Sequence, residues 1–218
     1  MPGYFLNSAI VFGIAKKASL RAAANSGTIL DDVLTAIVFS VGGAEAFLNE
    51  AIELATTVVF MHESDPDKIS AFGEMGKQIE ESRGSIELKY QTAKWIFSGK
   101  AFNRGASPYQ DFALLISVRN AIIHYKLLDK IELTPSGDMQ MNAPAIIGRL
   151  ESKDVLSDAP LYPHQSWLQR IATPEMATWS CATTAQMVSD FEKMLPKGFF
   201  KSQIELLTRS FVTSVPGF

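Results

Sequence analysis

Three polar side chains stand close together in an otherwise apolar stretch, and their types are the ones best suited to chemistry. Arg119, Asn120 and His124 lie in the run from Asp111 to Tyr125, which reads as a helix. At 3.6 residues per turn, Asn120 and His124 lie one above the other and Arg119 sits one step to the side. Histidine exchanges protons near neutral pH, and a guanidinium binds anions through paired donors. The pattern therefore places proton transfer and anion binding in one sector of one helix.

The boundaries of this helix are marked by residues with strong positional preferences. We expect Ser107 as the N-cap, Pro108 at the first helical position, and Gln110 completing a capping box. Lys126 and Lys130 stand at the far end, where cations complement the helix dipole. The apolar stripe that should face the core consists of Phe112, Leu115, Ile116, Ile123 and Leu127.

An arginine and a polar residue, followed by three residues and a histidine, resemble the signature of the HEPN superfamily. In this sequence four residues, Asn120 to Ile123, separate Arg119 from His124. The resemblance implies an all-helical fold with four core helices. It also implies a metal-independent ribonuclease, often a toxin or defence protein with an antitoxin partner. Other members are inactive and bind nucleotides or proteins, so the alternative is a non-catalytic binding module.

The resemblance also implies roles for particular residues. RNA would supply its own 2′-hydroxyl as nucleophile, and His124 would transfer a proton. Arg119 would hold the phosphate, and Asn120 would orient the histidine or a phosphate oxygen. The products would be a 2′,3′-cyclic phosphate and a 5′-hydroxyl. Since family nucleases generally act as dimers, we expect a homodimer with His124 from both chains. We expect no cofactor and no metal.

Basic residues outnumber acidic ones around the motif. From Lys94 to Lys130 the chain carries six cations and only two carboxylates, and Lys100 to Gly105 reads as a basic loop. We predict Lys94 and Lys126 as RNA-binding residues, although such charges are as often a solvated face. Tyr125 is predicted to support the motif. The three tryptophans, which we interpret as core or cleft walls, are Trp95, Trp167 and Trp179.

A second candidate element lies on an earlier helix, predicted from Thr28 to about His62. Glu45 stands where its stripe calls for an apolar residue, and Asn49 follows one turn later. A buried carboxylate needs a cation, and Arg119 is the natural candidate. Three interpretations stay open: a supporting residue of the active site, a structural pair that holds the bundle together with a hydrogen-bonded His124, or a stripe that meets solvent.

Composition bounds the remaining possibilities. The chain has 218 residues, 47% hydrophobic and 20% charged, with a formal net charge of -3. This favours an ordinary globular protein, read here as one domain over 1–218, and argues against a general basic nucleic-acid binder. The single cysteine, Cys181, excludes an internal disulfide framework. With no leader peptide and no apolar run of about 20 residues, we expect a cytoplasmic protein without membrane contact.

The rest of the chain predicts an all-α bundle of five to seven helices. Gly42-Gly43 indicates a close helix crossing or a kink. Asp65-Pro66 and Thr173-Pro174 are predicted helix starts. Prolines and glycines interrupt any period over about 131–165, which we predict as a long irregular insertion with a short hairpin or helix between Met139 and Val155.

Overall fold

The computed structural model describes residues 7–24, 29–57, 63–124, 130–133, 139–142, 145–157 and 166–212. Within these ranges the chain is an all-α helical bundle, which confirms the predicted fold class. The helices are α1 (Asn7–Ala23), α2 (Ile29–Thr57), α3 (Pro66–Glu81), α4 (Ile86–Ser98), α5 (Tyr109–Ile123), α6 (Ala145–Glu151), α7 (Trp167–Arg170), α8 (Pro174–Met194) and α9 (Phe199–Thr208), followed by a 3₁₀ turn (Arg209–Phe211). Two short strands, β1 (Lys130–Leu133) and β2 (Met139–Asn142), pair antiparallel, with Lys130 opposite Asn142.

Several helix starts follow directly from the local sequence. The side chains of Asp65, Ser85 and Thr173 each accept a hydrogen bond from the backbone N–H three residues later, at 3.4, 3.2 and 3.0 Å. Proline occupies the first position of α3 and of α8, where its missing N–H costs nothing. The two predicted proline-led starts are therefore confirmed. Over the described residues, no helix has the length and apolar character needed to cross a membrane.

The predicted start of α5 is wrong in its details. Pro108 itself is the cap residue, with φ -82° and ψ -13°, and no side chain caps the helix. The Ser107 hydroxyl donates to the Asp111 carboxylate instead. The N–H of Gln110 bonds to the Ala106 carbonyl at 3.0 Å, in a turn that precedes the helix.

The end of α5 also comes earlier than predicted. The helix stops at Ile123, and His124 leaves the helical region with φ -97° and ψ 45°. The β-branched pair Ile122-Ile123 weakens the helix at this point, and the strand that begins at Lys130 requires the chain to leave the helix before it. Lys130 therefore lies in β1 and not in the last turn of a helix.

The centre of the bundle is α2, which packs against α1, α3, α5 and α8. A Cβ added to Gly43 would lie 3.0 Å from Phe12 Cβ and 3.2 Å from Phe12 Cα. The backbones of α1 and α2 therefore approach closely at this glycine, which confirms the predicted close crossing. A cluster of buried phenylalanines fills the space between the helices, with Phe47 and Phe72 each packing on Phe191 at ring-centroid distances of 5.4 and 5.5 Å.

Cys181 lies on the buried face of α8, away from solvent. Ser40 Oγ donates to its sulfur at 3.5 Å. Burial raises the pKa of the thiol, so the thiolate is disfavoured at neutral pH.

The segment predicted as an irregular insertion contains more secondary structure than expected. The hairpin β1–β2 begins it, and the short helix α6 follows, so the interval between Met139 and Val155 holds both a strand and a helix. Among the contacts that attach its end to the bundle are an ion pair and a hydrogen bond. Lys153 Nζ lies 2.6 Å from Asp111 Oδ1, and Thr173 Oγ1 donates to the Val155 carbonyl at 2.6 Å. The segment is thus fastened to the starts of α5 and α8.

Candidate functional site at the end of α5

The expected ion pair between α5 and α2 is present, but it is loose. Arg119 Nη2 lies 3.7 Å from Glu45 Oε2, with side-chain exposures of 20% and 46%. That separation exceeds the usual length of a charge-assisted hydrogen bond. A carboxylate that is nearly half exposed keeps much of its hydration, so the pair is neither buried nor tight. Glu45 balances the charge of Arg119 without sealing it from solvent.

The other two motif residues are exposed. Asn120 and His124 both lie on the surface of the bundle. The backbone N–H of His124 donates to the Asn120 carbonyl at 2.9 Å and closes the last turn of α5. This hydrogen bond fixes the backbone that carries the imidazole, while the ring faces outward. The interpretation of His124 as a buried structural residue is therefore wrong, because its side chain supports no core packing.

Asn49 is engaged elsewhere. Its Oδ1 accepts a hydrogen bond at 2.6 Å from the ammonium of Lys89, a residue of α4 that is only 5% exposed. Glu80 Oε2 lies 3.7 Å from the same ammonium. The amide therefore holds α4 against α2 and does not bond to the motif directly. The sequence placed Asn49 correctly beside Glu45 but gave no sign that Lys89 would occupy it.

Glu45 and Asn49 belong to a polar row along α2 that was not predicted. The row continues one turn further with Glu53, whose Oε2 lies 3.3 Å from Lys77 Nζ of α3. Successive turns of α2 thus pair with a cation from α5, from α4 and from α3. The motif arginine is one end of this row, so its position depends on how three helices pack against α2.

The predicted RNA-binding lysine of α4 is partly buried and already paired, with its side chain 23% exposed. Lys94 Nζ lies 3.3 Å from Asp190 Oδ2 of α8 and 5.0 Å from the ring centroid of Phe102. Its charge is already balanced, and its stem packs on an aromatic ring. Tyr125 and Lys126 lie outside the described residues.

Of the three tryptophans interpreted as core or cleft walls, one lies on the surface. Trp95 is 64% exposed, whereas Trp167 is fully buried as expected. The helical periodicity of α4 could have predicted the exposure of Trp95. The buried residues Tyr90, Ala93 and Phe97 lie on one side of the helix, and Trp95 lies on the opposite side.

Comparison of the chain with models of protein families, with curated proteins and with solved structures gives no match. Function is therefore inferred from the residues themselves.

Proposed function

We propose that the protein is a metal-independent endoribonuclease of the HEPN type. The observation that carries the proposal is the exposure of His124 and Asn120 beside an arginine whose only ion pair among the described residues is the loose one with Glu45. A structural trio would be sealed and tightly paired. Asn120 and His124 are exposed and Arg119 is partly exposed, so a phosphate can reach the trio.

The chemistry follows from the residue types. The 2′-hydroxyl oxygen bonds to the adjacent phosphorus while the bond from phosphorus to the 5′ oxygen breaks. One base takes the proton of the 2′-hydroxyl, and one acid gives a proton to the departing 5′ oxygen. Each chain supplies one His124, so two chains supply the pair of proton-transfer groups. The proposal therefore includes a homodimer in which the two α5 ends face one cleft.

Arg119 stabilises the charge that develops on phosphorus. A guanidinium has five N–H donors, and the nearest contact to Glu45 involves a single nitrogen, Nη2. The remaining donors can bind the two non-bridging oxygens of the phosphate as a fork. Glu45 then restrains the guanidinium, and Asn120, one turn before His124, orients the imidazole or a phosphate oxygen.

A second candidate function is favoured by the same ion pair. Because Glu45 offsets the charge of Arg119, the site would attract a phosphate less strongly than a free arginine would. A non-catalytic module that binds a nucleotide or a partner protein, such as an antitoxin, needs no proton transfer. It also tolerates an arginine whose charge is offset by a neighbouring carboxylate. The two functions differ in whether RNA is cut.

The test is incubation of purified protein with labelled single-stranded RNA in EDTA, followed by analysis of the product ends. We expect 2′,3′-cyclic phosphate and 5′-hydroxyl ends. His124→Ala should lower the cleavage rate by about 10²–10⁴-fold, as is typical when an acid or base is removed. Arg119→Lys should also fail, since an ammonium cannot replace the fork.

The matched control is His164→Ala, which removes another histidine and should leave the rate unchanged. Cleavage that survives His124→Ala would assign the activity elsewhere. Binding of RNA or of a nucleotide by the wild type, without any cleavage, would select the binding module instead.

A further inference from the structure

Two large apolar side chains on the outer face of α4 are not covered by the bundle. Leu88 and Trp95, seven residues apart, lie on the same side of the helix, two turns from one another. Leu88 is half-exposed and Trp95 more so, while Tyr90 on the opposite side is fully buried. A helix whose inner face already fills the core thus presents an outer strip from Leu88 to Trp95, with the polar Gln91 and Thr92 between them and the large flat indole at its C-terminal end.

This strip adjoins a stretch of chain without carboxylates. Between Glu87 and Asp111 the sequence contains cations but no aspartate or glutamate. The lysines of α4 itself have partners: Lys89 is buried and bonded to Asn49, and the partly exposed Lys94 pairs with Asp190. The two cations that follow α4, Lys100 and Arg104, differ from these lysines in their exposure and in their ion pairing.

Lys100 and Arg104 are exposed, and neither forms an ion pair within the part of the chain that the structure describes. Gly99, with φ 66°, closes α4 by donating its N–H to the Trp95 carbonyl at 2.8 Å. Lys100 therefore comes directly after the last turn of α4, which carries the Trp95 indole. The Asn103 side chain accepts from the N–H of Gly105 at 3.0 Å, which fixes the turn around Arg104.

We propose that this surface, formed by Leu88, Trp95, Lys100 and Arg104, binds unpaired RNA. Trp95 stacks on a base, and the two cations contact the phosphates beside it. The proposal rests on the endoribonuclease function and names the state of its substrate, since a base inside a duplex is already stacked and cannot lie on the ring. Charge decides the occupant: exposed cations in a stretch free of carboxylates complement a polyanion better than a protein surface of mixed charge.

The placement suits a strand that continues into the motif. Lys89, next to Leu88, reaches Asn49, which lies one turn of α2 beyond Glu45. The first turn of α4 thus lies against the turn of α2 that follows Glu45, and from there the strip extends along α4 for about 10 Å, at 1.5 Å per residue over seven residues. RNA bound along α4 would present a neighbouring phosphate to Arg119.

The test measures binding separately from cleavage. The probe is a fluorescent single-stranded 2′-O-methyl oligonucleotide of about twelve nucleotides, a length within the usual range for single-strand sites. It lacks a free 2′-hydroxyl and cannot be cut by the proposed reaction. In fluorescence anisotropy, Trp95→Ala should weaken binding about tenfold to hundredfold, the range expected when one base no longer stacks on an aromatic ring. Trp95→Phe should retain most of the affinity, because it keeps an aromatic face.

The chain offers a matched control on α9. Phe199 is also a half-exposed aromatic residue, and it lies between Lys197 and Lys201, but Glu192 and Glu205 stand in the same part of the chain. Phe199→Ala should leave the affinity unchanged. Equal weakening by both substitutions, or an unchanged affinity in Trp95→Ala, would overturn the proposal, as would a wild type that does not bind the probe.

The salt dependence tests the two cations. For single strands the slope of log K against log salt decreases in magnitude by about 0.7 for each phosphate that the protein no longer neutralises. Lys100→Gln with Arg104→Gln should therefore lower the slope by about 1.4, whereas Lys197→Gln with Lys201→Gln should not change it.

If Trp95→Ala alters the oligomeric state in light scattering and not the affinity for RNA, the face is a protein interface and the inference fails. Cleavage that does not depend on Trp95 would remove this inference and leave the proposed function intact.

Discussion

The two halves of α5 are almost equally apolar in sequence, but the bundle treats them differently. The first half is enclosed: Phe112 packs on Tyr90 at 5.2 Å between ring centroids, Tyr109 stacks on Phe102 at 4.8 Å, and Lys153 pairs with Asp111. In the second half, Val118 remains buried, but Asn120 and Ile123 are exposed and Arg119 is partly exposed. Neighbouring elements, and not the composition of the helix, decide which half is core. The same helix therefore serves as a structural anchor at one end and as a presenter of side chains at the other.

The largest difference in stability is expected when an aliphatic side chain is truncated to alanine in each half of α5. Leu115→Ala removes a fully buried aliphatic group and should lower the free energy of unfolding by about 2–5 kcal/mol. Ile123 is 50% exposed, so Ile123→Ala should cost less than about 1 kcal/mol. Urea denaturation of both variants measures the difference. Equal losses would show that the second half is also covered, and the comparison would no longer hold.

A smaller effect is expected from the ion pair that joins the second half to α2. Because Glu45 is largely hydrated and 3.7 Å from the guanidinium, Arg119→Ala and Glu45→Ala should each change stability by no more than about 1 kcal/mol. A double-mutant cycle in urea gives the coupling between the two residues. A loss of about 3–5 kcal/mol for either single variant would instead indicate a buried structural pair.

The smallest effect on stability at neutral pH is expected for a hydroxyl group that lies beside the first half of α5. Tyr90 Oη is buried without a hydrogen-bond partner within the described residues. Tyr90→Phe should therefore be neutral or stabilising by up to about 1 kcal/mol. The matched control is Tyr109→Phe, which deprives the Gln91 amide of its acceptor and should destabilise by about 1 kcal/mol. Destabilisation by both substitutions would mean that the Tyr90 hydroxyl has a partner.

The same residue predicts a dependence on alkaline pH. Burial raises the pKa of Tyr90 above its ordinary value. A raised pKa in the folded state means that the stabilising contribution is complete below the unfolded pKa of about 10 and is lost as the pH rises above it. The free energy of unfolding should therefore fall less steeply above pH 10 in Tyr90→Phe than in the wild type. Denaturation curves at pH 8 and pH 11 provide the measurement.

Features that depend on neighbouring residues in the sequence were predictable. Asp65-Pro66 and Thr173-Pro174 carry their own start signals, since a cap acts on an N–H only three residues away. The Glu45–Arg119 pair was also within reach, because an acidic residue in an apolar stripe and a cation in an apolar helix require partners.

Features that depend on packing between helices were not predictable. Nothing local distinguishes Lys94, which is held by Asp190, from Lys100, which is free of ion pairs among the described residues, although both were part of one basic run. The early end of α5 and the pairing of Asn49 with Lys89 also depend on elements distant in sequence. The exposure of His124, on which the proposed function depends, is a property of this packing and could be seen only in the assembled bundle.

The close approach at Gly43 limits how the chain can vary in evolution. The atoms nearest to an added Cβ are Phe12 Cβ, Cα and N, at 3.0, 3.2 and 3.3 Å. No smaller residue other than glycine at position 12 would remove even the first of these contacts, and the other two belong to the backbone. A substitution at Gly43 therefore cannot be compensated by exchanging one partner side chain, and the backbone of α1 around Phe12 would have to shift by a few tenths of an ångström. Sequences that keep this packing should retain glycine at position 43 even where the rest of α1 diverges.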